Sequence, residues 1–296
     1  MKVYNYPCVL TSPTAVALGR FDGVHLAHTA VIKSAVQKEE GLTSAVFTFC
    51  DNPNKEASQV LCTEEEKQRL IEECGIQVLI NATFESVRNL SAEEFVSLVL
   101  KKSLNAKAVF CGYNYRFAKG ASADVNTLKA LCEKEGIQVT CVNEYVCDNT
   151  TVSSTAIRNL LSEGDVSRAK KLLGRSYTLE GRVVHGNAIG RTIETPTLNL
   201  DVSKNKLLPR FGVYAALAHI GENTHKAVAN IGLKPTVGSD SPTVEVYLLD
   251  ANGDFYEKEV TLELVAFIRS EQKFENLDKL KEAIAIDTDK AKQLLK

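Results

Sequence analysis

Gly19-Arg20-Phe21-Asp22-Gly23-Val24-His25-Leu26-Ala27-His28 follows the apolar run Ala15-Val16-Ala17-Leu18. It leads into residues 29–40, where Ala30, Val31, Ala35 and Val36 are spaced for the inner face of a helix. Strand, glycine turn and helix in that order deliver the phosphates of a nucleotide to free N–H groups at a helix N-terminus. Residues three apart are neighbours on a helix, so His25 and His28 fall on one side of the first turn. There they are placed to donate hydrogen bonds to phosphate oxygens and to stabilise charge on a leaving pyrophosphate. A metal pair needs a further ligand close by. None is offered: there is no Cys-x-x-Cys, and His185, His219 and His225 lie far along the chain.

Outward from this stretch, strand-like runs at 15–18, 44–49, 78–80, 108–111 and 138–142 alternate with helical segments near 29–40, 63–74, 91–102 and 124–135. Thr63 with Glu66 and Ser91 with Glu94 form capping boxes. Such alternation implies a parallel sheet with right-handed crossovers, and ligands bind such sheets beyond the carboxyl ends of the strands. A further helical patch covers 154–173. Beyond Gly174-Arg175-Ser176-Tyr177 the pattern changes to strand-like runs at 178–184, 213–219, 226–230, 244–249 and 260–267. Repeated glycines separate them, as in an antiparallel sandwich or barrel. A closing helix carries Leu277, Leu280 and Ile284 on one face.

The length of 296 residues favours two domains at about 150 residues each, and the change of pattern sets them at 1–173 and 174–296. A net charge of -2 excludes bulk electrostatic binding of nucleic acid. The N-terminus lacks a signal-peptide core and no apolar run reaches membrane-spanning length, so the chain is read as cytoplasmic with no membrane partner. All eight cysteines precede residue 150 without metal-type spacing, which favours buried free thiols over disulfides. Self-association is left open.

Further clusters carry polar chemistry. Cys111-Gly112-Tyr113-Asn114-Tyr115-Arg116-Phe117 closes a strand and offers an amide and a cation at the ligand edge. Ser153-Ser154-Thr155-Ala156-Ile157-Arg158 sets hydroxyls at a helix start with an arginine one turn on, which suits a triphosphate and equally suits plain N-capping. In the second half, Gly186 to Gly190 with Arg191 makes a glycine-spaced loop, followed by Pro196-Thr197-Leu198-Asn199 and later by Asn230-Ile231-Gly232. Glu245 shares a strand face with Thr243 and Tyr247, opposite Val244 and Val246. It is either solvated or a general base for a hydroxyl that attacks ATP. Thr and Asn oxygens beside a glycine loop suit Mg²⁺ and phosphate.

In this order, the motifs resemble the bifunctional riboflavin kinase/FAD synthetases of bacteria over nearly the whole chain. The matching set is Gly19-x-Phe21-Asp22-Gly23-x-His25-x-x-His28, Gly112-x-Asn114-x-x-Phe117, Ser153-Ser154-Thr155-x-Ile157-Arg158, Leu172-Leu173-Gly174-Arg175-x-Tyr177, Gly186-x-x-x-Gly190-Arg191, Pro196-Thr197-x-Asn199, Leu208-Pro209-x-x-Gly212-Val213-Tyr214, Asn230-Ile231-Gly232-x-x-Pro235-Thr236 and Ile268-Arg269-x-Glu271-x-Lys273-Phe274. The resemblance implies an α/β, Rossmann-like FMN adenylyltransferase of the nucleotidyltransferase type, followed by a six-stranded β-barrel riboflavin kinase with a terminal helix. It implies His25 and His28 at the ATP phosphates, with Gly19, Phe21, Asp22, Gly23, Asn114, Ser154, Thr155 and Arg158 completing that nucleotide site. In the kinase it implies Gly186, Gly190, Arg191, Thr197 and Asn199 at ATP, Thr197 at Mg²⁺, Glu245 as base, and Arg269 and Glu271 at the flavin. Riboflavin and ATP would give FMN, then FMN and ATP would give FAD and pyrophosphate.

The chain departs from the family at named positions. Ala27, Ala118 and Ala123 stand where glycine is usual, and alanine is penalised wherever φ is positive. Glu194-Thr195 replaces Gly-Phe before Pro196, which puts a carboxylate beside a loop for a polyanion. At ~6 Å and a dielectric of ~20, like unit charges repel by about 3 kcal/mol. Two alternatives therefore stand beside the bifunctional reading: a single active module, or a non-catalytic flavin- or nucleotide-binding regulator.

Overall fold

A computed structural model describes every residue except 39–40, 52–58, 186–196, 234–241 and 252. The chain divides into two compact units, Met1–Ser154 and Thr155–Lys296.

The first unit is built on a six-stranded sheet. Its strands are β1 (Lys2–Asn5), β2 (Thr14–Leu18), β3 (Thr43–Phe49), β4 (Val78–Ala82), β5 (Ala106–Gly112) and β6 (Gln138–Val142). All pairs are parallel, in the order β1-β4-β3-β2-β5-β6. Every residue of β2 and β4 is buried, which is why these strands read as unbroken apolar runs rather than alternating ones. The helices are α1 (Leu26–Val36), α2 (Glu64–Glu73), α3 (the turn Ala92–Glu94 continued as a π-helix, Phe95–Ser103) and α4 (Val125–Lys134). Both expected capping boxes form, at Thr63/Glu66 and Ser91/Glu94. One apolar core lies on each face of the sheet. Val16, Leu18, Phe47 and Ile80 point into one, and Ala15, Ala17, Val46 and Leu79 into the other.

From β2 the chain builds outward to β3 and β4, then crosses back to β5 and β6 on the other flank. The carboxyl ends of β2 and β5 therefore border the crevice where the strand order reverses, the ligand position in open α/β sheets. β1 escapes the sequence reading because all four of its residues are exposed at an edge and carry no apolar pattern. A short antiparallel ribbon, β7 (Val146–Cys147) with β8 (Thr150–Thr151), is likewise too brief to show a period. All eight cysteines are free thiols, and burial pushes Cys111 and Cys132 up to about 12, so neither ionises near neutral pH.

The second unit begins with α5 (Ser154–Glu163) and α6 (Val166–Leu173). These helices count with the barrel, so the compact units part ahead of the compositional change at residue 174. α6 lies against the barrel wall, and the Arg210 N–H donates to the Leu161 carbonyl at the end of α5. The barrel strands are β9 (Tyr177–Val184), β10 (Thr197–Val202), β11 (Gly212–Ile220), β12 (Asn223–Leu233), β13 (Pro242–Leu248) and β14 (Glu259–Arg269). They close in the order β10-β13-β12-β11-β14-β9, with every pair antiparallel. Leu200, Val244, Val246, Ala229, Ile231, Leu179 and Leu262 are buried and fill the interior.

Helix α7 (Leu277–Leu294) lies on the outside of this barrel against β11, β12 and β14. Its seat continues the expected stripe, with Leu280 and Ile284 partly buried on the same face. Leu277 is 55% exposed, and the buried positions are Asp287, Ala291 and Leu295. Ala291 and Leu295 pack with Val213, Ala215 and Val228. Asp287 is buried because Arg269 of β14 holds its carboxylate with a two-pronged fork, Nε to Oδ1 at 3.0 Å and Nη2 to Oδ2 at 2.8 Å. Apolar spacing finds this face but not the ion pair within it.

Candidate functional site

In the first unit, the turn after β2 is a heavily tied piece of backbone. The Thr48 hydroxyl donates to the Arg20 carbonyl at 3.0 Å, and the Ser154 hydroxyl donates to the Asp22 carbonyl at 2.9 Å. Asp22 Oδ1 accepts the N–H groups of Leu61 and Cys62 at 2.8 and 3.4 Å, and the Gly23 N–H donates to Cys62 Sγ at 3.0 Å. The Asp22 carboxylate thus secures the turn to the segment before α2. Cys62 and Leu61 carry no sequence signal for this role, since they lie 39 or 40 residues away and meet the turn only through the fold.

Two glycines answer to sterics. A Cβ on Gly19 would stand 2.8 Å from the Phe21 ring, and Gly23 has φ +87° with Leu61 2.9 Å from where a Cβ would sit. Phe21 is itself buried, and its ring meets that of His28 edge-on at 5.3 Å. Phe21 therefore acts as a wedge beneath the imidazole.

α1 starts at Leu26, three residues earlier than the apolar pattern indicates, because His25 is its N-cap. His25 has an extended backbone (φ -75°, ψ 174°), and its Nδ1 accepts the His28 N–H at 3.3 Å. A nitrogen that accepts carries no proton, so in the neutral ring Nε2 is the N–H donor. The two imidazoles stack at 3.5 Å with 15° between planes. Ala27 between them is helical and strain-free. Asn114 follows β5 at the same sheet edge. It is exposed, and its carboxamide oxygen lies 3.5 Å from the position of a Cβ on Gly112. Topology thus brings the histidine turn and Asn114 to one crevice. Thr155 and Arg158 stand in the first turns of α5, at the start of the second unit, and their assignment rests on the motif alone.

In the barrel, strand register gathers residues that are far apart in sequence. Asn199 of β10 is directly opposite Glu245 of β13, and Glu245 is directly opposite Asn230 of β12. Asn230 in turn pairs with Val213 of β11, and Val213 with Arg269 of β14. Side chains alternate along a strand, so with Val244, Val246, Ala229 and Ile231 buried inside, this row faces outward. Thr197 is on the same face, opposite Tyr247. One step along, the Glu271 carboxylate lies so close over Gly232 that a Cβ there would fall 1.7 Å from Oε1. Thr197, Asn199, Glu245, Arg269 and Glu271 therefore belong to neighbouring rows of one outer face. Arg269 serves there as the clamp to Asp287. Asn230 stands in the middle of the row and was visible only as part of a motif, because its register with Glu245 is a property of the closed barrel. Gly186, Gly190, Arg191, Glu194 and Thr195 lie outside the described residues.

A riboflavin kinase family model matches residues 173–295, and an FAD synthetase family model matches residues 9–156. The bifunctional riboflavin kinase/FMN adenylyltransferase of Bacillus subtilis (strain 168) is 35% identical over 291 residues, covering 94% of this chain and 91% of that relative. The protein of the same description from Escherichia coli (strain K12) is 34% identical over 289 residues, covering 95% and 90%. A crystal structure described as a macrolide-efflux protein from Streptococcus pneumoniae shares the fold with a TM-score of 0.90, 28% identity and 99% coverage of both chains. Among the described residues, no helix of this chain is long and apolar enough to cross a membrane. Both halves match in order, which disfavours the single-module and non-catalytic alternatives. With relatives aligned over nearly their whole length, the chain belongs to the bifunctional riboflavin kinase/FMN adenylyltransferase family.

Proposed function

We propose that this chain phosphorylates riboflavin at the outer barrel face and adenylylates the resulting FMN at the histidine turn. The observation that carries the first half is the register that sets Glu245 between two carboxamides on the face that holds Thr197. Glu245 takes the proton of the flavin's ribityl hydroxyl, whose oxygen attacks the γ-phosphorus of ATP while ADP leaves. Thr197 and Asn199 offer oxygen donors two residues apart on one face, a set that fits a hard cation. The Thr197 hydroxyl and the nucleotide phosphates would hold Mg²⁺, which neutralises phosphate charge when bound.

In the second reaction an FMN phosphate oxygen attacks the α-phosphorus of ATP and pyrophosphate leaves. His25 and His28, stacked at the start of α1, donate to the charge that builds on the leaving group. Gly19, Gly23 and Ser154 shape the turn, Asp22 and Phe21 hold it in place, and Asn114 completes the nucleotide edge. Arg269 and Glu271 border the flavin side of the kinase face, with Gly186, Gly190 and Arg191 toward its ATP. The functional border falls at 173/174, a reading supported by the kinase family match from residue 173. We place the enzyme in the cytoplasm with small-molecule partners only, in line with eight free thiols and a net charge of -2.

Purified protein with riboflavin, ATP and Mg²⁺ should form FMN and then FAD by chromatography. Glu245→Gln should lower FMN formation by about 10²- to 10⁴-fold and leave FAD formation from supplied FMN intact. His25→Asn keeps a good N-cap and should give the reverse, a loss of about 10²-fold or more in FAD formation only. Equal loss of both activities in either variant would refute the division of labour.

A further inference from the structure

Glu245 is flanked on both neighbouring strands by an asparagine at its own register position. Residues directly opposite in an antiparallel pair have Cβ atoms about 5 Å apart, within reach of a carboxamide–carboxylate contact. The two flanks are not equivalent. Asn199 shares its strand face with Thr197, the residue read as a ligand of Mg²⁺. Asn230 has no such neighbour: the next residue in its row is Val213, which packs under α7 with Ala291 and Leu295. Asn230 is thus the last polar position between the carboxylate and the apolar seat of the helix.

A carboxamide does not titrate, and it donates two N–H bonds in a fixed plane. Beside a carboxylate such a group is able to engage one oxygen and leave the other directed away from the sheet. On the far side from Thr197, this is the group able to fix how the base presents itself to an incoming hydroxyl.

We propose that Asn230 is a positioning residue of the kinase reaction, which orients the Glu245 carboxylate toward the ribityl hydroxyl from the flank opposite Asn199. The inference rests on the reading of Glu245 as the base. The other charged or titratable groups described around this row are Tyr247, Asp201 with Arg182 one step along β10 and β9, Glu271 over Gly232, and Arg269 with Asp287, while Glu180, Lys226, Glu259 and Glu263 share the outer face farther along the wall. None of them occupies a position paired with Glu245.

The test uses the full-length chain, with riboflavin phosphorylation followed across pH. Asn230→Leu removes the donor at similar volume and should lower kcat about tenfold or more with little change in the KM for riboflavin. Asn230→Asp sets a second carboxylate opposite Glu245, and like charges disfavour ionisation. The acid limb of its kcat/KM profile should therefore move up by about one pH unit. Thermal melting checks that the barrel is folded. If the leucine variant does not fold, the near-isosteric aspartate variant decides. Loss of activity in Glu245→Gln, together with an unmoved acid limb and kcat within about twofold in the Asn230 variants, would overturn the role of Asn230 alone. Retained activity in Glu245→Gln would overturn the base and, with it, its positioning residue.

Discussion

Of the three alanines that replace a usual glycine, only Ala118 carries strain. Its backbone, φ 64° and ψ 177°, lies in a region that glycine occupies almost alone. Ala27 is helical and Ala123 pairs with Phe117 at ordinary dihedrals, so the same substitution is harmless at two positions and costly at the third. Ala118→Gly should relieve about 1–3 kcal/mol of strain and lose about 0.5–1 kcal/mol to the greater freedom of glycine when unfolded. The first unit should therefore gain about 1 kcal/mol, read as a higher urea midpoint. A lower midpoint would mean that the loop pays no such penalty. The sequence shows that these alanines depart from the family, but their cost is a matter of φ, which no residue letter carries. His25 teaches the same lesson from the other side. Its place in the motif is legible, while its service as N-cap, with Nδ1 on the His28 N–H, appears only in the folded turn.

Among the elements, β2, β3, β5 and β6 and the capped helices were legible because burial or capping leaves a periodic mark. β10 was missed as a strand. Only Leu200 is buried on it, and a polar outer edge masks the alternation. The final helix was found on its proper face, where partly buried Leu280 and Ile284 line up with Asp287 and Ala291, but the ion pair at the centre of that face left no apolar mark. That ion pair makes a sharp prediction for the element. Asp287→Ala leaves the partly buried Arg269 guanidinium unpaired and should cost about 3 kcal/mol. The loss should appear in the barrel's thermal transition. If the change cost less than about 1 kcal/mol, the pair would rank with exposed surface bridges.

For the whole molecule, length and the change of pattern point to two domains, while the compact units part at Ser154/Thr155 and count α5 and α6 with the barrel. Compact units follow contacts, and composition does not record them. The barrel also carries a built-in response to acid. Burial pushes the Glu263 carboxyl up, but hydrogen bonds from Ser176 and His219 and the charge of Lys170 outweigh it, so the group lies below the usual range. A depressed carboxyl stabilises the folded state above its unfolded pKa of about 4.3. That stability is lost as pH falls through the lower folded value. Glu263→Gln should accordingly flatten the acid limb of barrel stability between about pH 5 and 3, measured by denaturant midpoints, with no change in slope expected near neutrality. The outward-facing row through Glu245 has one more consequence. On β13 the acid alternates with buried Val244 and Val246, so a one-residue slip of the strand would expose both valines and bury the acid. A barrel in the wrong register is then unable to fold as well as unable to react, and core burial proofreads the chemistry on the opposite side of the wall.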